Sequence, residues 1–445
     1  MYLALLLLLC VLFIVVSTTR FRLHPFLALL GAAVGFGLAA GMPLPVIIES
    51  IQEGFGGTLG KIGLVILAGT IIGVFLENSG GAFTIAESIL RAIGRKRVPA
   101  AMSLVGYVTS VPVFADSGFV IFTPLNRALT KRAGLSLATT AIALALGLMV
   151  SHTLIPPTPG PIAAAALLGA DLGRVLVIAL PISLVVLVFA GFWATKVASG
   201  VQIDPEPELG EAEIEARMAD APRAGFAFLP ILAPLLLILL GSVAALPSAP
   251  FGDGSLASAM LFVGSPVVAL FIGVICAFFL PRKREAAMFS QEGWVGQGLL
   301  TAAVIIFITG AGGAFGKVLQ NSGFATSIGD ALAPLSLGLW LPFIISAAIR
   351  AAQGSATVAI VTTASIVETM LPSLGLDSAS GRALAVVAIG SGGFFASHAN
   401  DSFFWVVTQM TGLSTKDGYR LLTLGTTLMS FLSGTLVWLA GLILL

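Results

Sequence analysis

Apolar stretches of about 20 residues recur along this chain from Leu3 to its C-terminus, separated by short polar or Gly/Pro-rich segments. A helix of that length crosses the hydrocarbon core of a bilayer, because each residue adds about 1.5 Å of rise. The alternating pattern of membrane β-strands is absent from the sequence. Of the 445 residues, 57% are hydrophobic and only 10% are charged, which agrees with this interpretation. The sequence therefore predicts an all-α polytopic membrane protein.

Charge, cysteine content and motifs argue against several other classes. The net charge is +1, so no basic surface for nucleic acid is expected. Cys10 and Cys276 lie in apolar stretches and are interpreted as packing residues rather than as a disulfide. The sequence contains no phosphate-binding loop, no HExxH pair and too few Cys or His residues for a zinc or haem site. We therefore expect no cofactor, no metal site and no enzyme.

Hydropathy predicts ten membrane spans and two further segments of a different kind. The spans lie near 3–17, 26–40, 61–78, 135–170, 175–194, 226–245, 257–280, 299–319, 382–410 and 421–445, with breaks in 135–170 and 382–410. Segments 98–129 and 337–370 are too long for one helix and contain Pro, Gly, Ser or charged residues, which favours re-entrant helical hairpins. Placing both termini in the periplasm leaves most Lys and Arg residues on the cytoplasmic side.

An internal repeat indicates two halves of opposite orientation. The sequence LENSG at 76–80 ends a span in the first half, and LQNSG at 319–323 ends one in the second. Each half continues with a hairpin and then with a broken helix, at 156–161 and at 397–402. The prediction is two inverted repeats, 1–196 and 225–445, each with five transmembrane helices and one hairpin, joined by a cytoplasmic linker at 197–224. This is the build of many secondary transporters.

The proline-rich segment 156–161 places four prolines in six positions, a density that no continuous helix tolerates. Unwinding inside a membrane leaves backbone groups that need partners, so the segment either lines a polar cavity or packs as a kink. In the cavity interpretation Thr158 and Gly160 contact the substrate. The second break offers Asn400 and Ser402 for the same purpose.

Two buried acids and two histidines lie near these breaks. Asp116 falls in the middle of the first hairpin, where it either carries a coupled proton or caps a half-helix. Asp401 lies in the second break and either serves the coupling or caps the helix that follows. His152 and His398 precede the two breaks and are either proton relays or structural residues.

The two hairpins supply further candidate substrate contacts. Arg350 is the one arginine within the second hairpin, where its guanidinium could hold a carboxylate through two hydrogen bonds, pair with an acid such as Glu368 or Asp116, or extend to the interface. Backbone amides and hydroxyls near the hairpin tips suit polyhydroxy acids. The remaining candidates in the hairpins are Ser117, Gly118, Gln353, Gly354, Ser355 and Thr357.

Residues 151–161, SHTLIPPTPGP, followed by an alanine run, and residues 114–119, FADSGF, resemble the gluconate permease (GntP) family of gluconate:proton symporters, part of the ion transporter superfamily. The resemblance covers nearly the whole chain. It implies inward proton symport of gluconate or a related sugar acid, an elevator-like movement, a homodimer and the bacterial inner membrane. Many members carry a histidine between the second and third prolines of the first motif, where this chain has Thr158.

Other functions stay open at this stage. A D-serine or glycerate-type hydroxy acid permease fits the same resemblance. A sodium-coupled organic anion symporter would use Asp116 and the unwound carbonyls to bind the cation. A hydrolase within the membrane would use a serine near His152 or His398.

Overall fold

The helices of this protein are seen in a computed structural model that describes residues 2–94, 97–111, 114–205, 221–245, 251–252, 254–324, 337–398 and 401–445. Every regular element in these ranges is helical. The first half contains α1 (Tyr2–Thr19), α2 (Pro25–Ala39), α3 (Leu44–Asn78), α4 (Gly81–Ile93), α5 (Val98–Thr109), α6 (Ala115–Ala133), α7 (Leu137–Leu154), α8 (Pro159–Leu168) and α9 (Leu172–Lys196). The second half contains α10 (Ala224–Ala244), α11 (Ser255–Gly264), α12 (Pro266–Ala277), α13 (Trp294–Asn321), α14 (Trp340–Gln353), α15 (Ala356–Glu368), α16 (Ala379–Gly392), α17 (Ser402–Thr411), α18 (Thr415–Gly418) and α19 (Leu424–Leu444).

Seven of the ten predicted spans are long and apolar enough to cross a membrane. Five are single candidates, among them Leu137–Leu168 and Ala224–Ala244, and two more are bent helix pairs. The predicted spans 3–17, 26–40 and 382–410 correspond to α1, α2 and the pair α16–α17, which fall short of that length or hydropathy. The exposed surface of α9 carries apolar side chains such as Val177 and Val188, as a lipid-facing helix requires.

Two predicted spans differ in shape from the helices observed in the structure. The span at 61–78 is only the second part of α3, which begins at Leu44 and bends by 45° between Leu44–Gly60 and Gly63–Asn78. The span at 257–280 is two helices, α11 and α12, set at 67° to each other. Its break has a local cause: Ser265 is extended (φ −63°, ψ 136°) and Pro266 has no N–H with which to continue the ladder of α11.

Helices α3 and α13, which end in the two repeated motifs, pack against each other in antiparallel orientation. Asn78 at the end of α3 donates from Nδ2 to Gln297 Oε1 (3.3 Å), and Asn321 at the end of α13 donates from Nδ2 to Ser50 Oγ (2.9 Å). The two asparagines occupy the same position in the repeated motif. Antiparallel packing is what spans of opposite direction require, while the inverted repeat of the whole chain stays a prediction.

Each predicted hairpin consists of two helices. The first of these helices packs against the broken helix in the same half of the chain. Helices α5 and α6 form the hairpin predicted at 98–129, and α14 and α15 form the one predicted at 337–370. Ser103 on α5 donates from Oγ to the carbonyl of Ala143 on α7 (3.1 Å). Ser346 on α14 donates from Oγ to the carbonyl of Ile389 on α16 (2.7 Å). The two hairpins are therefore held in the same way.

Both predicted breaks are present, although the first is shorter than predicted. Helix α7 ends at Leu154 and α8 begins at Pro159, so Gly160 and Pro161 belong to a helix. Prolines are compatible with a first turn, because the N–H groups there have no partner within the helix. The second break runs from α16 to α17, and residues 399–400 within it lie outside the described residues. Every residue of α7 is buried, which makes it the central helix of the protein.

The predicted linker at 197–224 lies between α9, which ends at Lys196, and α10, which begins at Ala224. Residues 206–220 lie outside the described residues. The boundaries of the two halves and the cytoplasmic position of the linker stay predictions.

The contact between α5 and α7 generates a test of this packing. A Cβ added to Gly147 would overlap the carbonyl oxygen of Ser103, and α5 would have to move away. We expect Gly147→Ala to destabilise the protein by about 1–3 kcal/mol, seen as a lower midpoint of thermal unfolding in detergent. Gly35→Ala in α2 is the matched control, because no atom lies within 4 Å of its added Cβ. Equal midpoints for the two variants would contradict this packing.

Candidate functional site

Three helix N-termini converge on one cavity of about 280 Å³. They belong to α6, α15 and α17, which contribute the lining residues 114–116, 355–357 and 401–403. Met149 and His152 of α7 form another part of the wall. Helix N-termini carry partial positive charge and unsatisfied N–H groups, so three of them around a cavity favour an anionic ligand.

Local sequence explains why two of these helices begin at the cavity. Gly354 ends α14 in the left-handed region (φ 86°), which glycine adopts without a Cβ penalty. The chain can therefore reverse at once, and Ser355 caps α15 by accepting from the N–H of Val358 (3.4 Å). In the first hairpin, Phe114 is extended (φ −61°, ψ 146°) and precedes the first residue of α6.

Arg350 is the largest fully buried side chain, with 1% of its surface exposed. Its Nη2 donates to Oδ2 of Asp401, and its Nη1 donates to the carbonyl of Gly354. The Nε atom is buried and has no hydrogen-bond partner among the described residues. Arg350 lines the cavity, and its guanidinium has further N–H groups besides the two that bind Asp401 and Gly354.

Asp401 connects the second break with the second hairpin. Its Oδ2 accepts from both Arg350 and Ser397 Oγ, and its Oδ1 accepts from the N–H of Phe403 (3.0 Å). The capping interpretation of Asp401 is therefore confirmed, and the carboxylate is also the counter-charge of Arg350. The sequence had indicated Glu368 or Asp116 as examples of a partner for that arginine, and the partner in the structure is Asp401.

Asp116 and His152 have fewer contacts than Asp401. Asp116 lies in the first turn of α6, where Phe114 and not Asp116 holds the N-cap position, and its Oδ1 accepts from Ser402 Oγ at 3.5 Å. The Nδ1 atom of His152 is buried and has no hydrogen-bond partner among the described residues. The imidazole lies 6.0 Å from the ring of Phe114, measured between centroids. Among the residues that the structure describes, no basic side chain forms an ion pair with this second acid of the cavity.

The structure brings many of the predicted residues together. Those that line the cavity are Asp116, His152, Arg350, Gly354, Ser355, Thr357, Asp401 and Ser402. Four others do not line it. Ser117 and Gly118 follow Asp116 in α6, Thr158 is fully buried and donates to the carbonyl of Ile155 (2.5 Å), and Gly160 packs against Ile360.

Three predicted residues have a different status. His398 is hydrogen-bonded through Nε2 to the carbonyl of Ala351 (2.8 Å), which joins the second break to the second hairpin. Asn400 and the side chain of Gln353 lie outside the described parts of the chain. The substrate and proton roles of all these residues stay predictions.

Sequence reasoning did not identify the apolar part of the cavity wall. Phe114, Met149 and Phe403 line the cavity together with the polar groups. Phe114 and Phe403 immediately precede and follow helix-start residues, which is the signal that could have indicated them. Met149 could not have been found, because nothing separates it from the other apolar residues of α7.

The cavity suits a small polar anion. Its volume lies just below the range of about 300–1,000 Å³ that is typical of pockets for drug-sized ligands. Hydroxyl groups of Ser355, Thr357 and Ser402 and one guanidinium line it. Among the described residues, no group of three or more His, Cys, Asp or Glu side chains could hold a metal ion.

A polytopic helical protein with two discontinuous helices and several helix N-termini around one cavity has a design found in membrane transporters. Comparison with known sequences identifies the family of transporter. The sequence model of the GntP family permease matches residues 1–443, so the chain belongs to the GntP permease family. The predicted family is confirmed.

Two relatives and one solved structure illustrate the similarity. The gluconate permease of Pseudomonas aeruginosa is 34% identical over 442 residues, which cover 97% of this chain and 96% of the relative. The inner membrane permease YgbN of Escherichia coli is 35% identical over 443 residues, or 96% of both chains. The crystal structure of the Alcanivorax borkumensis YdaH transporter superposes with a TM-score of 0.63, at 14% identity and 89% coverage of both chains, which shows a shared fold. The relatives are permeases, not hydrolases.

The buried ion pair generates a test of the site. Asp401→Asn leaves the Arg350 guanidinium buried without a counter-charge, and we expect a loss of about 3–5 kcal/mol in stability, measured by thermal unfolding. Combining it with Arg350→Gln removes the lone charge and should restore most of that loss. Glu53→Gln is the control, because the Lys317–Glu53 pair (3.6 Å) is partly exposed and should contribute less than about 1 kcal/mol. A double variant less stable than Asp401→Asn would argue against the pair.

Proposed function

We propose that this protein imports a small organic acid of the gluconate type together with a proton, and that the cavity between the three helix N-termini is the transport site. The substrate class is supported by the names of relatives at 34% identity and of others described as gluconate transporters at 30–31%. It is supported independently by the converging N-termini, since they favour a carboxylate over a cation.

The observation that carries the proton coupling is the balance of charge in the cavity. Of the described residues in the cavity wall, Arg350 is the one Lys or Arg, and Asp401 already neutralises it. Asp116 adds a second carboxylate. With both acids ionised, an anionic substrate would enter a cavity that is already negative, at an electrostatic cost. Protonation of Asp116 removes that cost, so the acid and the proton bind together.

Asp116 is the better proton carrier of the two acids because its protonation disrupts fewer stabilising contacts. Asp401 accepts three hydrogen bonds, and one of them caps α17. Protonating Asp401 would weaken its ion pair and its cap at once. The hydrogen bond that Asp116 accepts from Ser402 is long (3.5 Å), and that hydroxyl group can rotate when the acid becomes neutral. His152 lines the same cavity and serves as the relay in this proposal.

The substrate is placed by charge at one end and by hydroxyls along its length. In the proposed complex its carboxylate accepts from the Arg350 guanidinium and from the N-terminal amides of α15 and α17. The Ser355, Thr357 and Ser402 hydroxyls then pair with the hydroxyls of the sugar acid. Phe114, Met149 and Phe403 exclude water and pack on its carbon chain.

The remaining parts of the proposal follow from the family resemblance and from the distribution of charge. The protein lies in the bacterial inner membrane as two inverted repeats with both termini in the periplasm, because that orientation leaves most basic residues inside. It acts as a homodimer, and an elevator-like movement of the hairpins carries the cavity across the membrane.

The decisive experiment compares wild type with Asp116→Asn in proteoliposomes. Wild type should accumulate labelled gluconate or a related sugar acid when the outside is acidic, and sodium should make no difference. Because Asn resembles the protonated acid in shape and charge, the variant should still exchange labelled for unlabelled substrate, while uphill accumulation falls at least about tenfold. Asp377→Asn, at an exposed aspartate, should behave like wild type.

Each other result has a distinct meaning. Normal proton-driven accumulation by Asp116→Asn would exclude Asp116 as the carrier. Strict dependence on sodium would replace the proton by that cation. Uptake of D-serine or glycerate in place of sugar acids would change the substrate while leaving the site, and no uptake of any of these compounds would contradict the proposed substrate class.

A further inference from the structure

A π-helical turn at Tyr419–Thr423 lies between α18 and α19, next to the second break. Such turns are rare and occur frequently at functional sites. The carbonyl of Leu421 within the turn accepts from Trp193 Nε1 of α9 (2.8 Å). Gly425 lets the indole approach, since a Cβ there would lie 2.8 Å from Trp193 Nε1. A side chain of another helix, α9, therefore holds the π turn in place.

Two threonines of this region bind the unwound backbone at Ser397. Thr426 accepts through Oγ1 from the N–H of Ser397 (3.1 Å), and Thr423 donates through Oγ1 to the carbonyl of the same residue. Ser397 is fully buried and follows Ala396, whose positive φ of 46° is unusual for a residue other than glycine. Both backbone groups of a residue outside any helix are thus satisfied by side chains of one neighbouring segment.

The hydrogen bonds continue from Ser397 to the transport site. Ser397 Oγ donates to Oδ2 of Asp401, and the same carboxylate pairs with Arg350 and caps α17. Neither Thr423 nor Thr426 lines the cavity. We propose that Thr423 and Thr426 are positioning residues of the transport site: they fix Ser397 so that Asp401 holds both Arg350 and the N-terminus of α17 in place for the substrate. This inference rests on the proposed function.

Loss of either hydroxyl should weaken substrate binding more than it slows transport. Without the Thr426 acceptor, the N–H of Ser397 is buried without a partner, and the break can relax away from α19. Asp401 then shifts, and the guanidinium and the α17 N-terminus shift with it. One hydrogen bond of this kind corresponds to about a three- to tenfold change in an equilibrium constant, which we expect in the apparent KM for the acid. The maximal rate per folded transporter should change less than about twofold.

The test compares Thr→Val and Thr→Ser at positions 423 and 426 by uptake into proteoliposomes. Valine keeps the shape and loses the hydroxyl, whereas serine keeps the hydroxyl and loses the methyl group. A positioning role predicts that both serine variants retain the wild-type KM and that both valine variants raise it. Thr435→Val, at an exposed position of the same helix, is the control. The opposite order, with valine like wild type and serine impaired, would show a packing role and overturn the inference.

A second measurement requires no substrate, so it separates failure of this inference from failure of the proposed function. Thermal unfolding is compared for wild type, Thr426→Val, Asp401→Asn and the double variant. If Thr426 acts through Asp401, its replacement should lower the midpoint less than half as much in the Asp401→Asn background as in wild type. Additive shifts would overturn the inference even if gluconate is transported. Should Asp401→Asn not fold, Ser397→Ala replaces it in the cycle, with the same expectation.

Discussion

Backbone groups that leave a helix inside a membrane have no water to bind, so each one must find a partner within the protein. This constraint governs the centre of the molecule. At the second break the partners are Thr423 and Thr426, which bind the backbone of Ser397, and Asp401, which caps the next helix. The same groups that satisfy the broken backbone also set the position of the one arginine of the cavity wall. In the proposed transport site, stability and substrate binding therefore depend on one hydrogen-bonded network.

The surrounding helices show how such a centre is supported. Helices α3 and α13 pack antiparallel and exchange equivalent asparagine contacts at their ends. The first arm of each hairpin is held to its own broken helix by a serine hydroxyl bound to a main-chain carbonyl. A serine that donates to a carbonyl of another helix satisfies its hydroxyl and brings two backbones close together, which larger side chains would prevent.

Much of the fold could be predicted because length, hydropathy and proline content are strong local signals. From them we predicted interruptions that fall between α5 and α6, α7 and α8, α14 and α15, and α16 and α17. The candidates Arg350, Gly354, Ser355, Thr357, Asp401 and Ser402 line one cavity with Asp116. Contacts between residues that are distant in the sequence were harder to predict. Asp401 is 51 residues from Arg350, and nothing local distinguishes it from Glu368 as a partner. Thr423 and Thr426 lie in a stretch that reads as an ordinary apolar span, because a π turn has no clear sequence signature.

Helix α7 is buried over its entire length, yet only Met149 and His152 reach the cavity. Most of the wall is built from short segments at helix starts, where side chains can change without altering how the central helix packs. Exchanges at Thr357 would therefore reshape the cavity at small structural cost, whereas almost any exchange in α7 would disturb several neighbours at once. In the proposed transport site, substrate preference can therefore change through a few hairpin positions, whereas the central helix tolerates little change.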